Sequence, residues 1–115
     1  MNQTRQRFQA HIQDLIERSI SECRYRPTAF RAMVHKSGAV EACCRVIMDY
    51  PADKLPAGFT KLFSCGRLDL TVEAAVLQHP WCRLFEREIL ERARDRLQRV
   101  RYHDTSSPCL DDERA

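Results

Sequence analysis

The residues of this 115-residue chain whose types and spacing could do chemistry are few. They are two carboxylates four apart, Asp69 and Glu73, a vicinal thiol pair, Cys43-Cys44, and the run His79-Pro-Trp-Cys82. Two carboxylates divide acid and base roles only where their surroundings push the two pKa values apart. Helix capping accounts for both: Asp69 or Thr71 serves as an N-cap, and Glu73 falls in the first turn, where the helix dipole favours negative charge. A vicinal thiol pair switches with redox state when its thiolate is accessible and electropositively surrounded, whereas Cys43 and Cys44 both fall on an apolar stripe. His79 and Cys82 have ligand spacing but no second pair at a zinc-finger distance. The six cysteines, Cys23, Cys43, Cys44, Cys65, Cys82 and Cys109, form no CxxC. In a reducing compartment they read as free, buried, small hydrophobes. A hydrolase pairing His35, His79 or His103 with a cysteine lacks any feature that would bring such a pair together. The expectation is a protein without catalytic residues, metal or cofactor.

The elements that would position these groups read as helices. Three glycines and five prolines are too few for the turns of a barrel or sandwich, and 43% hydrophobic with 30% charged residues is enough for one ordinary core. An all-α, compact single domain of about five to six helices is expected over residues 1–103. A disordered acidic tail is expected over 104–115. No apolar run reaches the roughly 18 residues a membrane span needs, and Met1 to Gln13 lacks a secretory h-region, so a cytoplasmic protein is expected.

Phe8, Ile12, Leu15, Ile16, Ile20 and Cys23 form one stripe of a helix from about Thr4 to Cys23. Pro27 opens a second helix, with Phe30, Met33 and Val34 inward, ending near Gly38. Val40, Cys43, Cys44 and Ile47 mark a third. The stretch Tyr50 to Ala57, with Pro51 and Pro56, is the longest internal loop, and a short helix from Gly58 to Cys65 stops at Gly66. Leu68 and Leu70 alternate as if extended before the helix that Pro80 ends. Phe85, Ile89, Ala93, Leu97 and Val100 make the core stripe of the last helix.

Charge divides the chain unevenly. Residues 104–115 carry four acids against Arg114 alone, which leaves +6 on residues 1–103. Sixteen of the nineteen cations are arginine, but they are spread along the chain and form no basic run. On the last helix Arg92, Arg96 and Arg99 stand at i, i+4, i+7 beside the core stripe, a ridge able to meet phosphates or carboxylates of a partner. Acids between the arginine rows favour the plainer alternative of a solvated face. With Trp81, these three arginines are the candidate partner-binding residues. The surface around Tyr50 to Phe59 and Trp81 is the alternative place for one.

The whole pattern resembles an uncharacterised family of small helical bacterial proteins, some carried by phages and mobile elements. The likeness lies in Tyr25, Pro27, Phe30 and Met33, then Gly38, Gly58-Phe59, the run Gly66 to Glu73, Trp81, Leu84-Phe85 and Arg96-Leu97. It spans about residues 7 to 103. The chain departs from it at Ser37-Gly38, where the family tends to two glycines, and at Arg101-Tyr-His103. It departs again at Glu86, where a Ser or Thr cap is usual. The resemblance names no activity. The function expected is a non-enzymatic interaction module for a protein partner. By analogy alone, one version is a phage or mobile-element inhibitor of a host defence complex, of the anti-CRISPR kind. Nucleic-acid binding through the arginine-bearing helices is the alternative.

Overall fold

Helix after helix follows the apolar periodicity of the chain. The computed structural model describes residues 3–51, 54–102 and 104–111. In chain order the helices are α1 Gln3–Cys23, α2 Thr28–Ser37, α3 Ala39–Met48, α4 Ala57–Ser64, α5 Val72–Leu77, α6 Arg87–Arg99 and α7 Pro108–Asp111. Single 3-10 turns cover Leu68–Leu70 and Trp81–Leu84, and no strand occurs among the described residues.

The organising element is the shortest interior helix. In α5 the sequence Val-Glu-Ala-Ala-Val-Leu is apolar almost all round, which suits burial on every side, and its alanines let neighbours approach closely. Residues 73–77 are all buried, and α5 packs against α6 and α3. Around it α1 and α2 lie against α3, and α3 against α6. The stripe of α1 behaves as its spacing requires: Phe8, Ile12, Leu15 and Ile16 are core, with Ile20 and Cys23 at its edge.

The chain turns where local chemistry permits. Arg24 adopts a left-handed φ of 54°, and Tyr25 N–H donates to the Ser19 carbonyl, closing the end of α1. The 3-10 turn at Leu68–Leu70 replaces the expected extended run. The Arg67 guanidinium holds both Asp69 carboxylate oxygens at 3.0 Å, and Thr71 N–H donates to the Leu68 carbonyl at 3.1 Å. Leu68 and Leu70 are still both buried. Thr71, not Asp69, caps α5, its Oγ1 accepting from Ala74 N–H at 3.1 Å. Glu86 stands at the N-cap of α6 and makes no side-chain cap hydrogen bond there.

Two expectations need correction. Cys23 and Cys65 form a disulfide, as do Cys82 and Cys109, leaving Cys43 and Cys44 as the free thiols. The partners are 42 and 27 residues apart, separations that no helical period reports, so the sequence alone hides them. The C-terminal segment also departs from the disordered tail expected. Over residues 104–111 it lies on the domain, with Ser107 and Leu110 buried and Cys109 joined to Cys82. Arg94 Nε donates to the Thr105 carbonyl at 3.0 Å. A low-hydrophobicity segment orders here because one leucine and one covalent bond supply what its composition lacks. Residues 112–115 and His103 lie outside the described residues.

Candidate functional site: an apolar groove walled by four helices

The candidate arginines do not form one exposed ridge. Arg96 is 1% exposed and pairs with Glu73, which is 2% exposed, at 2.8 Å from Nη1 to Oε2. Its guanidinium also donates to the carbonyls of Val46 at 3.3 Å and Ile47 at 2.8 Å, at the end of α3. Arg96, at the margin of the core stripe beside Ile89, is therefore turned inward, because it faces the one carboxylate of α5. Arg92 is half-buried and donates to the Met48 and Tyr50 carbonyls at 3.2 and 3.0 Å. These two side chains thus satisfy carbonyls that the end of α3 leaves open. Arg99 alone is solvent-facing, 3.5 Å from Asp95. Glu73 and Asp69 are likewise separated in role: Glu73 is buried with Arg96, while Asp69 is exposed and bound by Arg67. Burial pushes the Glu73 carboxyl up and Arg96 pulls it back, while Arg67 holds Asp69 below its ordinary range.

Trp81 is half-buried in an aromatic cluster. It stacks on His11 at 5.4 Å between centroids and meets Phe8 at 5.6 Å. Burial lowers the His11 pKa, against a smaller opposing effect of Asp14. Cys43 is fully buried, which pushes its thiol well up, so it holds no ready thiolate. His35 is exposed on α2 and His79 in the turn that follows α5, far apart in the chain. No group of three or more His, Cys, Asp or Glu side chains is placed to hold a metal among the described residues.

What the fold does assemble is an apolar groove of about 320 Å3. Its inner wall is α1, through Ile12, Leu15, Ile16 and Ser19. Ala29, Phe30 and Met33 of α2 form one flank, and Gly58, Phe59 and Leu62 of α4 the other. Val46 and Asp49 bring α3 to it, and Leu70, Thr71 and Glu73 close the floor. Tyr25 and Tyr50 stand over this space, Tyr50 40% exposed. Ser19 adds no polar demand, since its hydroxyl donates to the Leu15 carbonyl at 2.8 Å.

Local features fix this shape. The left-handed turn at Arg24 sets Tyr25 beside Gly58, where a Cβ would collide with the tyrosine hydroxyl. The Cys23–Cys65 disulfide, with Cα atoms 5.9 Å apart, fastens the end of α1 to the residue that closes α4. Arg67 adds an ion pair to Glu22 beside it. Of the residues singled out by sequence, Tyr50 and Phe59 reach the groove, whereas Trp81, Arg92, Arg96 and Arg99 do not line it. Periodicity could not find the groove because Phe30, Met33, Phe59 and Leu62 look like ordinary core residues. The one signal was the proline-bounded loop placing aromatic residues on either side of it. Comparison with family models, curated proteins and solved structures finds no match to this chain.

Proposed function

We propose that this protein is a non-enzymatic interaction module whose groove between α1, α2, α3 and α4 receives an apolar anchor from a protein partner. The observation that carries the reading is the groove itself. It is a concave apolar space of about 320 Å3 with exposed Tyr50 at its edge, in a chain whose other apolar side chains mostly fill its core. Pockets that seat interface anchors have this character, with an apolar centre and aromatic residues around it. The polar groups at its floor are already engaged by residues behind it, which favours binding over reaction: Glu73 holds Arg96, and the Thr71 hydroxyl donates to the Leu68 carbonyl at 2.7 Å. Nucleic-acid binding through α6 has less support, since Arg92 and Arg96 are spent on protein carbonyls and Glu73. Inhibition of a host defence complex is one form such a module takes, by analogy only.

Photocrosslinking tests the reading. With p-benzoylphenylalanine at Met33, in the groove, the protein should form an adduct with a protein of its source cell. At Glu88, on the outer face of α6, it should form none. Adducts from Glu88 alone, or adducts to nucleic acid, would overturn the assignment.

A further inference from the structure

We infer that the groove takes an acidic peptide segment bearing an aromatic or long aliphatic anchor, an inference that rests on the protein-binding reading above and adds the partner's charge. The stretch 24–61 supplies the α2, α3 and α4 walls. It carries seven cations against three acids, a net +4 in a chain whose total is +3. Arg24, Arg26, Lys54 and Lys61 are exposed and make no ion pair among the described residues. Arg24 and Arg26 flank Tyr25, Lys54 stands two residues before the lining Pro56, and Lys61 adjoins the lining Leu62.

The interior offers nothing to a charged group. Of its charged lining residues, Glu73 is held by Arg96 and Arg45 by Glu41 at 3.2 Å, while Asp49 lies exposed at the edge, an acid that the surrounding cations outnumber. A carboxylate drawn into the apolar centre would lose its hydration without a partner, whereas one left at the edge keeps its water and gains cations. The division of an apolar centre and a cationic surround therefore selects an apolar side chain with acids on either side of it. It also opposes a second copy of this chain, whose own cations would meet those of the first. A nucleic acid would satisfy the cations but leave the groove unfilled.

Selection from a random dodecapeptide display library, with the full-length protein as bait, tests this. The enriched sequences should carry Trp, Phe, Leu or Met next to Asp or Glu, and a synthetic copy should bind more tightly as salt is lowered. Val46→Trp, which fills the groove, should weaken that peptide at least about tenfold. Lys54→Glu with Lys61→Glu should weaken it by about three- to tenfold while leaving circular dichroism unchanged. Ala29→Trp, at an exposed lining position, serves the same purpose should Val46→Trp fail to fold. Groove-dependent peptides that are neutral or basic would overturn the charge assignment and leave the binding reading standing. An oligonucleotide duplex that binds as well to Val46→Trp, a dimer abolished by it, or a selection without groove-dependent peptides would overturn both.

Discussion

Glu73 and Arg96 form an ion pair at 2.8 Å with both side chains almost wholly removed from water. The pair explains how α5 can be buried on all sides while carrying a carboxylate, and it ties α5, α6 and the end of α3 into one unit through the Val46 and Ile47 carbonyls. Arg96 Nε has no hydrogen-bond partner among the described residues. The arrangement is therefore costly to break and of modest net benefit, as expected for buried pairs.

Removing one partner should show this. Arg96→Met or Glu73→Ala strands the opposite charge and should lower stability by about 3 to 5 kcal/mol in urea titration. Glu73→Leu with Arg96→Met should recover a large part of the loss, since two apolar residues replace two charges. Reversing Arg92, Arg96 and Arg99 together to Glu should unfold the domain, a result opposite to that expected of three surface arginines.

The disulfides set a second expectation. Loops of 42 and 27 residues restrict the unfolded chain enough for about 3 to 4 kcal/mol each. A dithiol reductant should therefore lower the melting temperature by many degrees, and Cys23→Ser and Cys82→Ser should each reproduce part of the fall. Thiol titration of the unfolded, unreduced protein should find two free groups, Cys43 and Cys44. An unchanged melting temperature with six titratable thiols would refute both bonds.

His11 gives a pH-dependent signal. Burial lowers its folded pKa below the 6.5 of an ordinary histidine, so the unfolded chain binds the proton more readily. Its contribution is complete above about pH 6.5, and stability falls as the pH drops from there through the folded value. Trp81, the single tryptophan, stacks on this ring, so its fluorescence should titrate with a midpoint below 6.5. His11→Phe should abolish that titration and flatten the corresponding limb of the stability profile.

At lower pH the bridge made by Arg67 should matter. Hydrogen bonds from arginines lower both carboxylates, Glu22 through Arg18 and Arg67, and Asp69 through Arg67. Their contribution is present above the ordinary carboxylate range and is lost as pH falls through their lowered folded values. Arg67→Ala should lower stability at pH 7 and make its fall below about pH 4.5 shallower, so that the two proteins converge in acid. Equal acid limbs for the two proteins would show that the bridge contributes nothing.

The helices were legible in the sequence because their apolar residues recur with helical period: α1, α3 and α6 lie where Phe8 to Cys23, Val40 to Ile47 and Ile89 to Leu97 indicated. Arg96 was not legible. A helical wheel gives each residue an angle, and Arg96 sits near the margin of the stripe, where only a carboxylate on another helix decides whether it faces in or out. The disulfides and the order of residues 104–111 escaped for a related reason, being contacts between distant positions. The groove escaped because a wall of apolar residues reads the same whether it meets another helix or an open space.

The groove is the centre of this account, and filling it is the most direct test. The affinity of wild type and Val46→Trp should be compared for the partner crosslinked through Met33, with both proteins folded by circular dichroism. Filling the groove should cost at least about tenfold in affinity, or 1.4 kcal/mol. Equal affinity for the two proteins would contradict it.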